Sequence, residues 1–173
     1  MKIKRLEIDQ FGKFENQNYV LSPTLNIFIG DNGTGKTTLM EFIHQVLFEF
    51  PKKNQKEINY QTLPGKEIGG RLIVDLHDNT RATISRQSGP GARTGKLEVS
   101  LNNGKQISEP ERKLNEWLHQ LNQKELRQLY TFNLSDLQTL KDLQKEDLNE
   151  YFQSLTTEGS QKVYQQLNSL QKE

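Results

Sequence analysis

The run Gly30-Asp31-Asn32-Gly33-Thr34-Gly35-Lys36-Thr37 constrains this chain more than any other feature, because it satisfies the spacing G-x-x-x-x-G-K-[ST]. That spacing has structural meaning only between a buried strand and a helix, and the sequence writes both around it. Leu25-Asn26-Ile27-Phe28-Ile29 is almost continuously apolar, as expected of a strand covered on both faces. After the loop, Leu39, Met40, Phe42, Ile43, Val46 and Leu47 recur at three- and four-residue intervals, the stripe of a helix of about three turns. Pro51 and the polar run behind it end that helix. The residue types in the loop fit an oxyanion. Glycines at 30, 33 and 35 let the backbone wrap closely with successive N–H groups turned inward, and the positive end of the next helix faces the same anion. Lys36 brings a mobile charge to β- and γ-phosphates, Thr37 offers a hydroxyl to Mg2+, and Thr38 can donate to an α-phosphate oxygen.

The rest of the chain bounds what surrounds the loop. Its 173 residues suit about one domain, and a hydrophobic share of 32% is low beside 26% charged. Leu, Ile, Val and Phe still stay above the ~20% level below which disorder is the default. The apolar residues concentrate in the first fifty positions, so the core is expected there. With no cysteine, a disulfide scaffold, a Cys zinc site and a thiol nucleophile are excluded; a reducing, cytoplasmic setting fits. A net charge of +1 confines any nucleic-acid surface to a local patch. No stretch approaches the ~18 apolar residues of a membrane helix, and Met1-Lys2-Ile3-Lys4-Arg5 leads into Glu7 and Asp9 rather than into a signal core.

Ile3, Leu6 and Ile8 alternate as a half-buried strand, and Tyr19-Val20-Leu21 reads as a second. Residues 51–68 read as a polar loop. Three short strands follow at Arg71–Leu76, Ala82–Ser85 and Lys96–Leu101, separated by turn chemistry, which suggests an antiparallel meander. Glu109-Pro110 opens a helix with Leu114, Trp117, Leu118 and Leu121 on one face. Leu129–Leu134 could add a strand. From Ser135 the chain is helical in character, and Val163, Leu167 and Leu170 form either the start of a heptad seam or a short amphipathic helix.

A loop that binds phosphate does not by itself hydrolyse it. Hydrolysis needs a carboxylate that holds Mg2+ through water and a group that orients the attacking water. Asp75, after Leu72-Ile73-Val74, is the one acid that follows an apolar strand, but Leu76 stands where a catalytic Glu would have to be. Asp75 therefore reads as a half-exposed strand residue, and half of a catalytic site is expected to lie elsewhere.

The loop with Thr38 resembles the G-x-N-G-x-G-K-[ST]-[ST] form of ABC-type ATPases in the SMC, RecF and SbcC group. Phe11-Gly12-Lys13-Phe14, Phe42-Ile43-His44, Gly69-Gly70-Arg71-Leu72, Phe132-Asn133-Leu134 with Asp136-Leu137-Gln138, and Glu146 to Tyr151 are similar to the N-terminal head segment of YhaN-type, SbcC-like members. The resemblance implies an α/β fold: a P-loop NTPase of the ABC type, a head lobe with a mixed sheet plus an antiparallel meander over 1–137, and a helical segment over 138–173 that starts a coiled coil. It implies ATP and Mg2+ as cofactors, with Gly30, Asp31, Asn32, Gly33, Thr34, Gly35, Lys36, Thr37 and Thr38 around the nucleotide and Thr37 on the metal. Lys13 matches a basic residue that reaches the phosphates. Gln138 stands in for the Q-loop glutamine, as a catalytic group and Mg2+ ligand, with Asn133 competing. The implied partners are the head's own C-terminal half or a separate chain carrying signature and Walker B motifs, a second head on ATP binding, double-stranded DNA, and a nuclease subunit of the SbcD kind; no membrane is implied.

Arg81, Arg86, Arg93 and Lys96 surround a Gly-Pro-Gly tip with no acid between Asn79 and Leu97, the composition of a phosphate-backbone contact or of an ordinary solvated hairpin. His44, His77 and His119 lack ligand spacing. Two other functions compete: a self-contained small-metabolite kinase with 86–96 as an Arg-rich lid, and a nucleotide-binding module without catalysis.

Overall fold

Alternation in the early and middle parts of the chain produces one antiparallel sheet. The computed structural model describes residues 1–51, 67–78, 80–89 and 92–131. Strands β1 (Lys2–Phe11), β2 (Phe14–Val20), β3 (Gly69–Asp75), β4 (Arg81–Gly89) and β5 (Ala92–Leu101) lie in the order β2-β1-β3-β4-β5, every neighbouring pair antiparallel. Helix α1 (Lys36–Phe48) and helix α2 (Pro110–Trp117) belong with this sheet to the unit Met1–Gln120. Helix α3 (Gln123–Tyr130) lies in a second unit, Leu121–Glu173.

The core forms on one face of the sheet. Leu6 and Ile8 of β1, Leu72 and Val74 of β3, Ala82 and Ile84 of β4, and Leu97 and Val99 of β5 are buried together with Leu39, Phe42 and Val46 of α1 and Leu114 of α2. A register shift between Ile8 and Gln10 changes the alternation of β1, so Phe11 also points inward. There its ring meets Phe42 edge-on at 5.4 Å and lies 6.3 Å from Phe50. Burial of such side chains, about 1.5–3 kcal/mol each, fixes α1 on the sheet. The opposite face carries exposed ion pairs, among them Arg71 with Glu7 and Lys96 with Glu98.

The structure departs from the sequence reading in four places. Leu25–Ile29 is not a strand among the described residues, and Leu25, Ile27 and Ile29 are 71%, 71% and 93% exposed. The reason is a missing ladder: no described strand pairs with it, and β2 is the sheet's outer strand on that side. The described sheet is accordingly antiparallel rather than mixed. Leu129 and Tyr130 belong to α3 and not to a strand; α3 starts at a capping box in which Asn122 accepts from the Glu125 amide and Glu125 accepts from the Asn122 amide. Helix α2 stops at Trp117, followed by left-handed His119 and Gln120, so only Leu114 of the expected face is buried in it. Residues 52–66, the 132–138 region with Asn133 and Gln138, and the seam at Val163, Leu167 and Leu170 lie outside the described residues. Among the described residues no helix is long and apolar enough to cross a membrane.

Candidate functional site

The phosphate loop sits at the N-terminus of α1, as the spacing requires. Gly35 is the N-cap residue, in the left-handed region at φ +102°, a conformation that glycine adopts without strain. A Cβ there would also lie 2.7 Å from Phe14 Cζ and 2.9 Å from Lys13 Cε, so the loop needs glycine at 35 for space as well. No side chain caps the helix, and its first turn holds no acid. The unpaired amides of that turn and the positive helix end therefore face outward with no internal carboxylate competing for them. This arrangement fits a phosphate group, and Thr37 in the same exposed turn offers the hydroxyl that a Mg2+ ion on that phosphate would take.

Two ammonium groups converge on the loop backbone. Lys36 Nζ donates to the carbonyls of Gly30 at 2.6 Å and Asp31 at 2.9 Å. Lys13 Nζ, from the turn between β1 and β2, donates to the Gly33 carbonyl at 2.7 Å. Thr34 closes the loop on itself, its hydroxyl and amide both donating to Asp31 O at 2.8 and 3.2 Å. Phe14 follows Lys13 and packs on Gly35; its ring meets Tyr19 at 6.2 Å, and Tyr19 meets Phe28 at 5.9 Å, both nearly edge-on. These rings tie the exposed Leu25–Ile29 segment and the loop to β2. Phe14 was not singled out from the sequence as a loop neighbour, although its place beside Lys13 was the available signal.

Other residues stand apart from the loop. Asp75 accepts from Arg81 Nε at 2.8 Å and Nη2 at 3.3 Å, and these hydrogen bonds hold its carboxyl below the usual aspartate range. In the strand register Asp75 lies opposite Lys2, at the other end of β1 from the Lys13 turn. Ten residues of strand, about 30 Å at the usual rise, separate the two ends, so Asp75 is not a ligand for a metal at the loop. Within the basic hairpin Arg81 pairs with Asp75, Lys96 with Glu98, and Arg86 is fully buried, while the side chain of Arg93 lies outside the described residues. Burial removes Arg86 from a solvated phosphate contact and from a kinase lid alike. The fold does bring His77 and His119 together, ring centroids 6.4 Å apart, beside a cavity of about 220 Å³ that Trp117 also lines. Among the described residues no group of three or more His, Cys, Asp or Glu could hold a metal ion.

Comparison with known proteins adds a family. The family model AAA_23, described as an AAA domain, matches residues 5–173. The chain is 30% identical over 178 residues to YhaN of Bacillus subtilis, a match spanning all of this chain and 17% of that protein. It is 43% identical over 84 residues to the DNA replication and repair protein RecF of Lactococcus lactis, spanning 49% of this chain and 23% of that one. A solved structure titled as the recombination mediator RecF with ATP has a TM-score of 0.48 at 17% identity, over 99% of this chain and 54% of that chain. The chain thus spans less than a quarter of the length of these two sequence relatives.

Proposed function

The chain belongs to the AAA_23 family of AAA domains, as a P-loop segment of the SMC/RecF type, and from that premise we propose that it binds ATP with Mg2+ and supplies one half of an SbcC-like ATPase head. The observation that carries this reading is an uncapped, acid-free helix start preceded by a loop on whose backbone Lys36 and Lys13 both converge. In it, Gly30 to Thr38 wrap the phosphates, Lys36 and Lys13 neutralise their charge, and Thr37 supplies a ligand to Mg2+. The bound metal would offset charge on the β- and γ-phosphates.

Hydrolysis in this reading waits for a segment carrying the signature and Walker B motifs, with Gln138 as the water-orienting group. The exposed apolar run at Leu25, Ile27 and Ile29 supports completion by another segment, since a run of this composition suits a strand covered on both faces. ATP would clamp two heads together, hydrolysis would release them, and the cycle would act on double-stranded DNA in repair or chromosome maintenance, with an SbcD-like nuclease as a further partner in a cytoplasmic complex.

The test is turnover. Residues 1–173 alone should bind ATP weakly and hydrolyse it negligibly, and addition of a segment with signature and Walker B motifs should give DNA-responsive hydrolysis. Phosphotransfer to a small molecule by residues 1–173 alone would overturn the reading. A completed head that bound ATP without turning it over would leave a nucleotide-binding module without catalysis.

A further inference from the structure

Arg86 takes a full charge into the interior. Alternation along β4 puts Ala82, Ile84 and Arg86 on the core face, and the Arg86 side chain is 0% exposed. A guanidinium so placed must spend its donors well. Nε donates to Val46 O at 2.9 Å, Nη1 to Gly95 O at 3.3 Å and to Glu111 Oε1 at 3.0 Å, and Nη2 to Glu111 Oε2 at 3.3 Å. Val46 lies in the last turn of α1, where carbonyls have no helical donor and the negative helix end collects. That last turn holds no basic residue of its own. Arg86 supplies the cation from another element.

The surrounding backbone is shaped to this contact. Gly95 has φ +89°, and a Cβ on it would meet Arg86 Cγ at 2.6 Å and the Phe50 ring at 2.7 Å. Phe50 N, just past α1, donates to Thr94 O at 2.9 Å. The exit of α1, strands β4 and β5, and the first turn of α2 thus meet at one guanidinium.

We propose that Arg86 is a positioning residue for the phosphate site, setting where the N-terminus of α1 lies by holding its C-terminus, with Glu111 as its counter-ion. The inference rests on the nucleotide reading of the loop. The two ends of α1 are about 20 Å apart along a helix of 13 residues, which transmits a shift at one end to the other as a rigid rod. Phosphate recognition by backbone amides tolerates only about 0.5 Å of misplacement. By reciprocity, ATP at the loop tightens the Arg86–Glu111 junction.

The experiment compares the full-length protein with Arg86→Lys, Glu111→Gln, Glu98→Gln and Lys36→Ala, by Mg-ATP titration, thermal melting and amide hydrogen exchange. Lysine keeps the charge but cannot fork between Val46 O and the Glu111 carboxylate. Loss of a charge-assisted hydrogen bond there should weaken ATP binding about tenfold in folded Arg86→Lys, and by less in Glu111→Gln. Glu98→Gln, which breaks an exposed pair on the other sheet face, should bind as the parent does. ATP should slow exchange at the amides of Lys113 to Trp117 in the parent and not in Glu111→Gln, a response that a merely structural ion pair would not give. Parental affinity in Arg86→Lys and Glu111→Gln, or exchange at 113–117 indifferent to ATP, overturns the proposal provided that Lys36→Ala loses binding. If Arg86→Lys does not fold, Glu111→Gln decides alone. Undiminished binding by Lys36→Ala would instead sink the nucleotide reading on which the proposal stands.

Discussion

The ammonium of Lys13 donates to the carbonyl of Gly33 at 2.7 Å, so a turn between the first two strands holds a cation against the loop that follows twenty residues later. With Lys36 on Gly30 and Asp31, the loop has two cationic neighbours of independent origin. A phosphate entering between them exchanges carbonyl partners for charged ones, which form the stronger hydrogen bonds.

Lys13→Ala should therefore weaken ATP binding about tenfold without loss of fold, because one exposed charge-assisted contact is removed. The deficit should shrink as salt is raised, since exposed charges are screened. Titrations at two ionic strengths check both statements.

Gly35→Ala should do more harm than its size suggests. The added methyl meets Phe14 Cζ at 2.7 Å, and the backbone is at φ +102°. Strain of this kind costs about 1–3 kcal/mol, so ATP binding should be lost and the melting temperature lowered. Phe14→Ala on the same background removes the clash with the ring but neither the approach of Lys13 Cε at 2.9 Å nor the unfavourable φ, and should restore only part of the stability.

Asp75→Asn separates a structural from a metal-binding carboxylate. ATP affinity and its Mg2+ dependence should stay parental, because Asp75 answers to Arg81 and not to the loop. Its folded carboxyl is held below the ordinary range by the Arg81 hydrogen bonds, so the pair's small contribution is present above that range and fades as pH falls through it. Melting temperatures of the parent and Asp75→Asn should thus differ slightly at about pH 5 and converge towards about pH 2.

Ile29→Asp asks what the exposed run is for. In residues 1–173 the side chain is 93% exposed, and the substitution should change stability by no more than about 0.5 kcal/mol. In the completed head, where another segment would cover this run, it should abolish assembly and turnover. Equal tolerance in both settings would contradict that role.

Much of this fold was legible in the sequence because period and face agree. The stripe from Leu39 to Leu47 fixed α1, and alternation around Leu72, Ile84 and Val99 fixed the meander. Leu25–Ile29 misled because an apolar run states that a segment must be covered but not by what; no described strand supplies its ladder. Arg86 misled for the opposite reason. Counted with its neighbours along the chain it looked like part of a basic tip, whereas its parity with Ala82 and Ile84 already put it on the core face. Gly95 inside a strand was the second signal, marking a close approach. Contacts from Lys13 and Phe14 to the loop depend on the turn between β1 and β2 and could be reached from the sequence only through the family resemblance.

In the proposed function the loop from Gly30 to Thr38 holds a nucleoside triphosphate. The most direct test is equilibrium binding of Mg-ATP to the full-length protein and to Lys36→Ala, with far-UV dichroism to show that both are folded. The parent should bind, and Lys36→Ala should bind roughly 10- to 100-fold more weakly, the worth of a lost charged hydrogen bond at a phosphate. Equal affinity in two folded proteins would contradict this reading.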